Sequence, residues 1–292
     1  MDKENYLGNY LANFDWRTYC KDYNLSSRID AIKHLSDANK YTTLITRLPQ
    51  TQLKIKEPPK VAKVTNSVDL RSKFPPCYDQ GNLGSCTANA MVGAYQYLVP
   101  NFFGSRLFLY YNERVIENSV KYDNGAYIHD GIFSMEKTGL CPETDWPYII
   151  SKFAQKPPTQ AYTNALKHKV ITAYTVTQTI SNMKSLLVSG TPFIIGFMCY
   201  ASFVSKTALA TGLIPMPPVN KQDKIIGGHS VLVVAYDDTI QCPGAPPGAW
   251  LCRNSWGTNI YGNLKGYFWL PYNYLTNPNL SSDNWYLSTT SN

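Results

Sequence analysis

Apolar positions recur with different periods in the two halves of this chain. Over residues 27–47, Ile29, Ile32, Leu35 and Leu44 return at roughly helical spacing with polar residues between them, which predicts one helix. Pro49 to Val64 follows as a stretch bearing Lys and Pro (Lys54-Ile-Lys-Glu-Pro-Pro-Lys60) that reads as an extended linker. A boundary therefore falls near residue 65. A firmer helical pattern starts after Gly81 and Gly84: Ala90, Met91, Ala94, Tyr95 and Leu98 share one stripe, and Pro100 stops it. Cys86 thus lies in the first turn of a largely buried helix.

Farther on the period changes. Val170–Val176, Phe193–Met198, His229–Tyr236, Ala249–Arg253 and Gly266–Leu270 are short apolar or alternating runs separated by Gly and Pro, and they predict antiparallel strands. A helix-rich first half followed by a strand-rich second half predicts an α+β fold with a cleft between two lobes. No internal repeat or low-complexity tract interrupts it.

With 44% hydrophobic and 16% charged residues among 292, the chain can fold around a sizeable core. Residues 1–65 carry 11 Lys/Arg against 7 Asp/Glu and the remainder 16 against 13, so the net charge of +7 is dispersed. No dense basic run with interleaved aromatics occurs, which argues against nucleic-acid binding. No window approaches the roughly 18 apolar residues of a membrane helix, and the polar start Met1-Asp-Lys-Glu-Asn-Tyr is unlike a signal peptide. The expected setting is cytoplasmic, with no membrane partner.

Seven cysteines (Cys20, Cys77, Cys86, Cys141, Cys199, Cys242 and Cys252) leave at least one thiol free if the others pair within the chain. No C-x-x-C spacing occurs, so neither a zinc ribbon nor a thioredoxin-type site is predicted. Cys242 and Cys252 flank the turn-rich Pro243-Gly-Ala-Pro-Pro-Gly248 and could face each other across a hairpin; equally, all seven could stay reduced.

Nucleophilic chemistry needs a thiolate, which the positive end of a helix dipole and a nearby imidazolium both favour. Cys86 has the first by local sequence. His229 follows Gly227-Gly228, which leave room for close approach, and opens the apolar run Ser-Val-Leu-Val-Val-Ala. Asn254, in Arg253-Asn-Ser-Trp-Gly257, ends another strand-like run, where its amide could accept the second imidazole proton as the orienting member of a nucleophile–base–orienter set. Trp256 would shield that bond from water. Gln80, six positions before Cys86, could place its NH2 beside the Cys86 amide as an oxyanion hole. His34, His129 and His168 read as surface or pocket-edge residues, and Cys20 and Cys77 as spectators or disulfide partners.

Gln80-Gly-Asn-Leu-Gly-Ser-Cys-Thr-Ala88, Gly227-Gly-His-Ser-Val231 and Asn254-Ser-Trp-Gly257 resemble the three active-site motifs of the papain/cathepsin family of cysteine peptidases. His229 and Asn254 lie 143 and 168 residues beyond Cys86, against a family spacing of roughly 130–150. The Pro/Gly connector at 243–248 accounts for the longer one. Asn124-Gly-Ala-Tyr127 through Trp146-Pro-Tyr148 is similar to the family's substrate-binding strand, following helix and Tyr-Pro-Tyr turn. The resemblance covers about residues 66–292, and Gly-Gly-His is especially like cathepsin B.

The resemblance implies a papain-like two-lobed fold: a helical lobe carrying the nucleophile, an antiparallel β-barrel-like lobe carrying the histidine, and an N-terminal prosegment. It implies Cys86, His229, Asn254 and Gln80 as catalytic residues, with Gly84, Ser85, Gly125, Ala126, Tyr127 and Gly228 facing a peptide or protein substrate. No metal or organic cofactor is implied. Residues 1–65 stand where relatives carry an inhibitory propeptide, here short as in cathepsin B and without the cathepsin L propeptide motifs, so the chain's own segment is the expected inhibitor. The absence of a His-His pair favours an endopeptidase over a carboxydipeptidase. Leu83, Thr87 and Ala126 depart from the Cys, Trp and Gly of many relatives, touching scaffold and pocket, while motif variants such as this Cys86 segment resemble those of bacterial and large-virus members. Two other classes are weighed: a catalytically silent homologue used for binding, opposed by the presence of Cys86, His229 and Gln80, and a transglutaminase-like acyltransferase, opposed by Asn254.

Overall fold

The computed structural model describes residues 65–290; the helix expected over 27–47, the linker before residue 65, Cys20 and His34 lie outside them. The helix expected at Cys86 runs over Cys86–Leu98 (α1), and every residue from Cys86 to Tyr95 is buried. Small residues explain how it is enclosed all round rather than along one stripe. At Gly93 an added Cβ would stand 3.3 Å from Nη1 of Arg253 and 3.8 Å from Leu232, so the helix approaches the strands closely there. Leu98, placed on the buried stripe by its spacing, is instead exposed, because the helix ends there just before Pro100.

Three further helices build the same side: α2 (Arg106–Ile116), α3 (Ile128–Lys137) and α4 (Thr159–Ala165). Ser105 caps α2, its hydroxyl accepting from the Phe108 amide at 3.0 Å and donating to the Trp146 carbonyl at 2.6 Å. Met91, Leu107, Phe108, Met135 and Leu140 form the core beneath these helices, and Trp285 joins it from the end of the chain.

The other side is a seven-stranded antiparallel sheet in the order β2-β7-β3-β4-β5-β6, with β1 paired to β4. The strands are β1 (Ser67–Asp69), β2 (Val170–Thr175), β3 (Phe193–Tyr200), β4 (Ile225–Asp237), β5 (Ala249–Arg253), β6 (Tyr267–Pro271) and β7 (Ser281–Thr290). All five expected strands form, within a few residues of their predicted ends. Strands β1 and β7 were not expected, since Ser281-Ser-Asp-Asn284 is polar and β7 is defined by its partners on both sides. The short helices α5 (Ile180–Val188), α6 (Lys206–Thr211) and α7 (Tyr272–Thr276) complete this side, around a core of Phe193, Phe197, Phe203, Trp250 and Phe268.

The two sides meet where α1 packs on β4, which brings the start of the helix to the strand bearing His229. Arg253 fastens the junction, donating through Nη2 to the Pro76 carbonyl at 2.7 Å and stacking 4.2 Å over the Tyr78 ring. The six described cysteines are all buried free thiols. The pairing considered for Cys242 and Cys252 does not form: Cys242 Sγ turns to the Trp269 carbonyl and Cys252 Sγ to that of Trp250. Cys77 is likewise no disulfide partner.

Candidate active site

Cys86 is the first residue of α1, so its sulfur stands at the positive end of the helix. The backbone N–H of Ser230, one residue past His229, points to that sulfur, and with the amides of Thr87 and Cys86 it favours the thiolate. Burial outweighs them and pushes the Cys86 thiol up to about 12.

His229 lies on β4 opposite Phe197 of β3, with no solvent exposure. Its ring stacks on Trp256 with centroids 4.9 Å apart and meets the edge of Phe197 at 5.7 Å. Its Nε2 lies 2.7 Å from Oδ1 of Asn254. An amide oxygen only accepts, so the imidazole proton sits on Nε2 and Nδ1 carries the lone pair. That Nδ1 makes no hydrogen bond among the described residues. Burial pulls the His229 pKa down to about 4 against the opposing bond to Asn254. In this closed arrangement cysteine and histidine are both neutral.

Asn254 Oδ1 also accepts from the Ser255 amide at 2.8 Å, while Nδ2 donates to the Tyr261 hydroxyl at 3.2 Å. The amide therefore cannot flip without losing both bonds. The next two residues serve the site as well. Ser255 Oγ donates to Gln80 Oε1, and Trp256 covers the imidazole. Gln80 is fully buried, its Nε2 donating to the Leu83 carbonyl at 2.9 Å within the loop that leads to Cys86.

Gly84 and Ser85, expected to face substrate, immediately precede Cys86 in the chain. Gly84 donates its amide to Asp123 at 2.9 Å, and Ser85 shares a hydrogen bond with the Tyr148 hydroxyl, which also donates to the Gln80 carbonyl at 2.9 Å. Gly228 lies on β4 beside His229. Gly125 has φ of 79°, a conformation that favours glycine, and precedes Ala126 and Tyr127. All of these are buried except the half-buried Tyr127.

Sequence reading missed Tyr261 and Asp123, which carry no motif of their own and reach the site only through the fold, and it quoted Ser255 and Tyr148 within motifs without giving either a role. His129, read as a surface or pocket-edge residue, is mostly buried in ion pairs with Asp283 and Asp130. His168 is half-buried and stacks on Phe102 with centroids 3.9 Å apart. Among the described residues no cluster of three or more His, Cys, Asp or Glu could hold a metal ion.

A cysteine at the start of a helix, a histidine on the strand that packs against that helix and an asparagine bonded to the histidine are the arrangement of a thiol protease. Residues 64–286 match the papain family cysteine protease profile, and the chain belongs to that family. It is 39% identical over 221 residues to an uncharacterized peptidase C1-like protein of Acanthamoeba polyphaga mimivirus, spanning 71% of this chain and 68% of that one. Xylellain, a cysteine protease from Xylella fastidiosa, superposes with a TM-score of 0.72 at 38% identity, covering 82% and 92% of the two chains. A procathepsin B from Trypanosoma congolense superposes at 0.60 with 16% identity over 84% and 85%, a likeness of fold alone.

Proposed function

We propose that this chain hydrolyses peptide bonds, with Cys86 as nucleophile, His229 as acid and base, Asn254 as orienter and Gln80 as oxyanion donor. The observation that carries this reading is the 2.7 Å bond from His229 Nε2 to Asn254, which leaves the Nδ1 lone pair free to take a proton from the thiol. Cys86 then attacks the peptide carbonyl, and the oxygen takes the charge against the Cys86 amide and the Gln80 NH2. The imidazolium protonates the leaving amine as the C–N bond breaks. The neutral ring next draws a proton from water, whose oxygen attacks the thioester and releases the acid and the thiol. Removing one oxyanion donor costs roughly 3–4 kcal/mol of transition-state stabilisation in comparable sites.

The chain works as an endopeptidase made as a zymogen, with residues 1–65 as inhibitory segment and linker and 66–292 as peptidase domain. Burial of both Cys86 and His229 supports the need for such an opening step. Nothing in the sequence supplies the paired histidines of a carboxydipeptidase. The Gly227-Gly-His run supports a likeness to cathepsin B, and the mimivirus relative supports a cytoplasmic or virion setting.

The test is labelling with a peptidyl epoxide, comparing wild type with Cys86→Ala, before and after residues 1–65 are cut away. Label on Cys86 that appears after cutting is the expected result. An inert thiol in the cut protein would end the peptidase reading.

A further inference from the structure

The segment Gly125–Tyr127 leads into α3, and side chains from two separate elements hold it and the first turn of that helix. The Gly125 amide donates to the Tyr110 hydroxyl at 3.3 Å, and the Tyr127 amide donates to Glu117 Oε1 at 2.8 Å. The His129 amide, in the first turn of α3, donates to Asp283 Oδ2 at 3.2 Å. Tyr110 and Glu117 come from the body and the end of α2, whereas Asp283 comes from β7, 154 residues away from His129.

Asp283 is held in an unusual state for this task. Its φ of 57° is in the left-handed region that few residues other than glycine, Asn and Asp tolerate. Its carboxylate collects three donors: the His129 amide, His129 Nδ1 at 3.2 Å and Trp285 Nε1 at 2.6 Å. A strained residue with a buried charge persists only where its surroundings over-determine it. Burial opposes that charge, yet the His129 imidazolium outweighs it and holds the carboxyl below the usual range. His129 in turn feels burial pulling it down, and Asp283, Asp130 and Glu117 raise it to about 9. The ring then stacks on Tyr127 with centroids 5.3 Å apart, which returns the tether to the segment. None of these charged groups has a part in the acyl-transfer steps.

With the Gly125 and Tyr127 amides both donated to protein side chains, the backbone of this segment is held on either side of Ala126. We propose that Glu117 and Asp283 are positioning residues that hold the Gly125–Tyr127 segment from both ends, and so set the affinity for extended peptides rather than the rate of bond cleavage. This rests on the peptidase reading above.

The experiment uses chain folded at full length and then cut before residue 66, with rates expressed per active site titrated by the epoxide. Asp283→Ala is expected to raise KM for an extended peptide about tenfold while kcat stays within about twofold, and Asp283→Asn, which keeps an acceptor oxygen, to recover most of that loss. Glu117→Ala reads the same segment from its other end, with the same rise in KM, and decides the matter if Asp283→Ala does not fold. Alkylation of Cys86 by iodoacetamide, which needs no peptide contact, should stay within about twofold of wild type in all of them. A folded variant with unchanged KM, or one in which kcat and alkylation fall together, overturns the proposal. If wild type itself neither cleaves nor labels, the peptidase reading has failed. The positioning role is then read from peptide binding to Cys86→Ala with and without Asp283→Ala, where equal affinities overturn it.

Discussion

Ser255 grips Gln80 twice: its hydroxyl donates to Gln80 Oε1 at 2.5 Å, and its carbonyl accepts from the Gln80 amide at 2.8 Å. The first bond settles which end of the Gln80 side chain is the donor end. With the oxygen occupied by Ser255, the NH2 must face the loop of Leu83 to Cys86. The motif Asn254-Ser-Trp256 thus supplies a hydrogen-bond partner for the histidine, a lock for the Gln80 side chain and a cover for the imidazole in three consecutive residues.

Ser255→Ala should therefore lower kcat about fivefold and leave KM within about twofold, since a net hydrogen bond is worth about 1 kcal/mol and this one acts on a transition-state contact. Steady-state kinetics on the cut chain decide it. An unchanged kcat removes Ser255 from the oxyanion arrangement.

Asn254→Ala frees the His229 ring and its tautomer together, and kcat should fall by about 10–100-fold. Tyr261→Phe leaves Asn254 in place but releases its Nδ2, so a loss of only about two- to threefold is expected. If Asn254→Ala kept wild-type kcat, the orienting role would be wrong.

Stability should depend on pH through His229. Its folded pKa is about 4 against an ordinary 6.5, so on acidification the unfolded chain takes the proton first. Folding stability present above about 6.5 is lost as pH falls toward 4, on the order of 3 kcal/mol over that window. Glu117 runs the other way: burial raises its carboxyl to about 7 from 4.5, so its contribution is present at low pH and lost as pH rises through that range. Urea unfolding of wild type and His229→Gln at pH 7 and pH 4 isolates the histidine. An equal pH dependence in both proteins refutes the assignment.

If residues 1–65 are the inhibitory segment proposed above, thiol chemistry should separate the full-length chain from the cut one. Cys86 is unexposed and held at about 12 by burial, so in the full-length chain at pH 7 iodoacetamide should modify it very slowly. Cutting before residue 66 should accelerate that modification at least about 100-fold if opening lets the ion pair form. After unfolding without reductant, the six described cysteines should all titrate as free thiols. A missing pair would reinstate a disulfide.

Gly125→Ala tests the backbone of the substrate-facing segment. A side chain at φ of 79° costs about 1–2 kcal/mol, so a lower melting temperature and a raised KM are expected together. Full retention of both would mean that the segment has freedom to relax.

Much of this protein is written locally. The helix at Cys86, the five expected strands and the motifs around Gln80, Cys86, His229 and Asn254 depend on period, turn residues and short-range spacing, which neighbouring residues impose on one another. Contacts between distant segments are different, because a hydrogen bond between residues 154 apart leaves no periodic trace in either stretch. Strand β7 is polar where it begins and exists because β2 and β3 flank it. Asp283 looks like a loop aspartate, and His129 like a surface histidine, until the fold buries them against each other. The sequence alone pointed to Gln80, Cys86, His229 and Asn254; burial and long-range pairing, which only three-dimensional packing creates, decided the charge of each group and which residues hold those four in place.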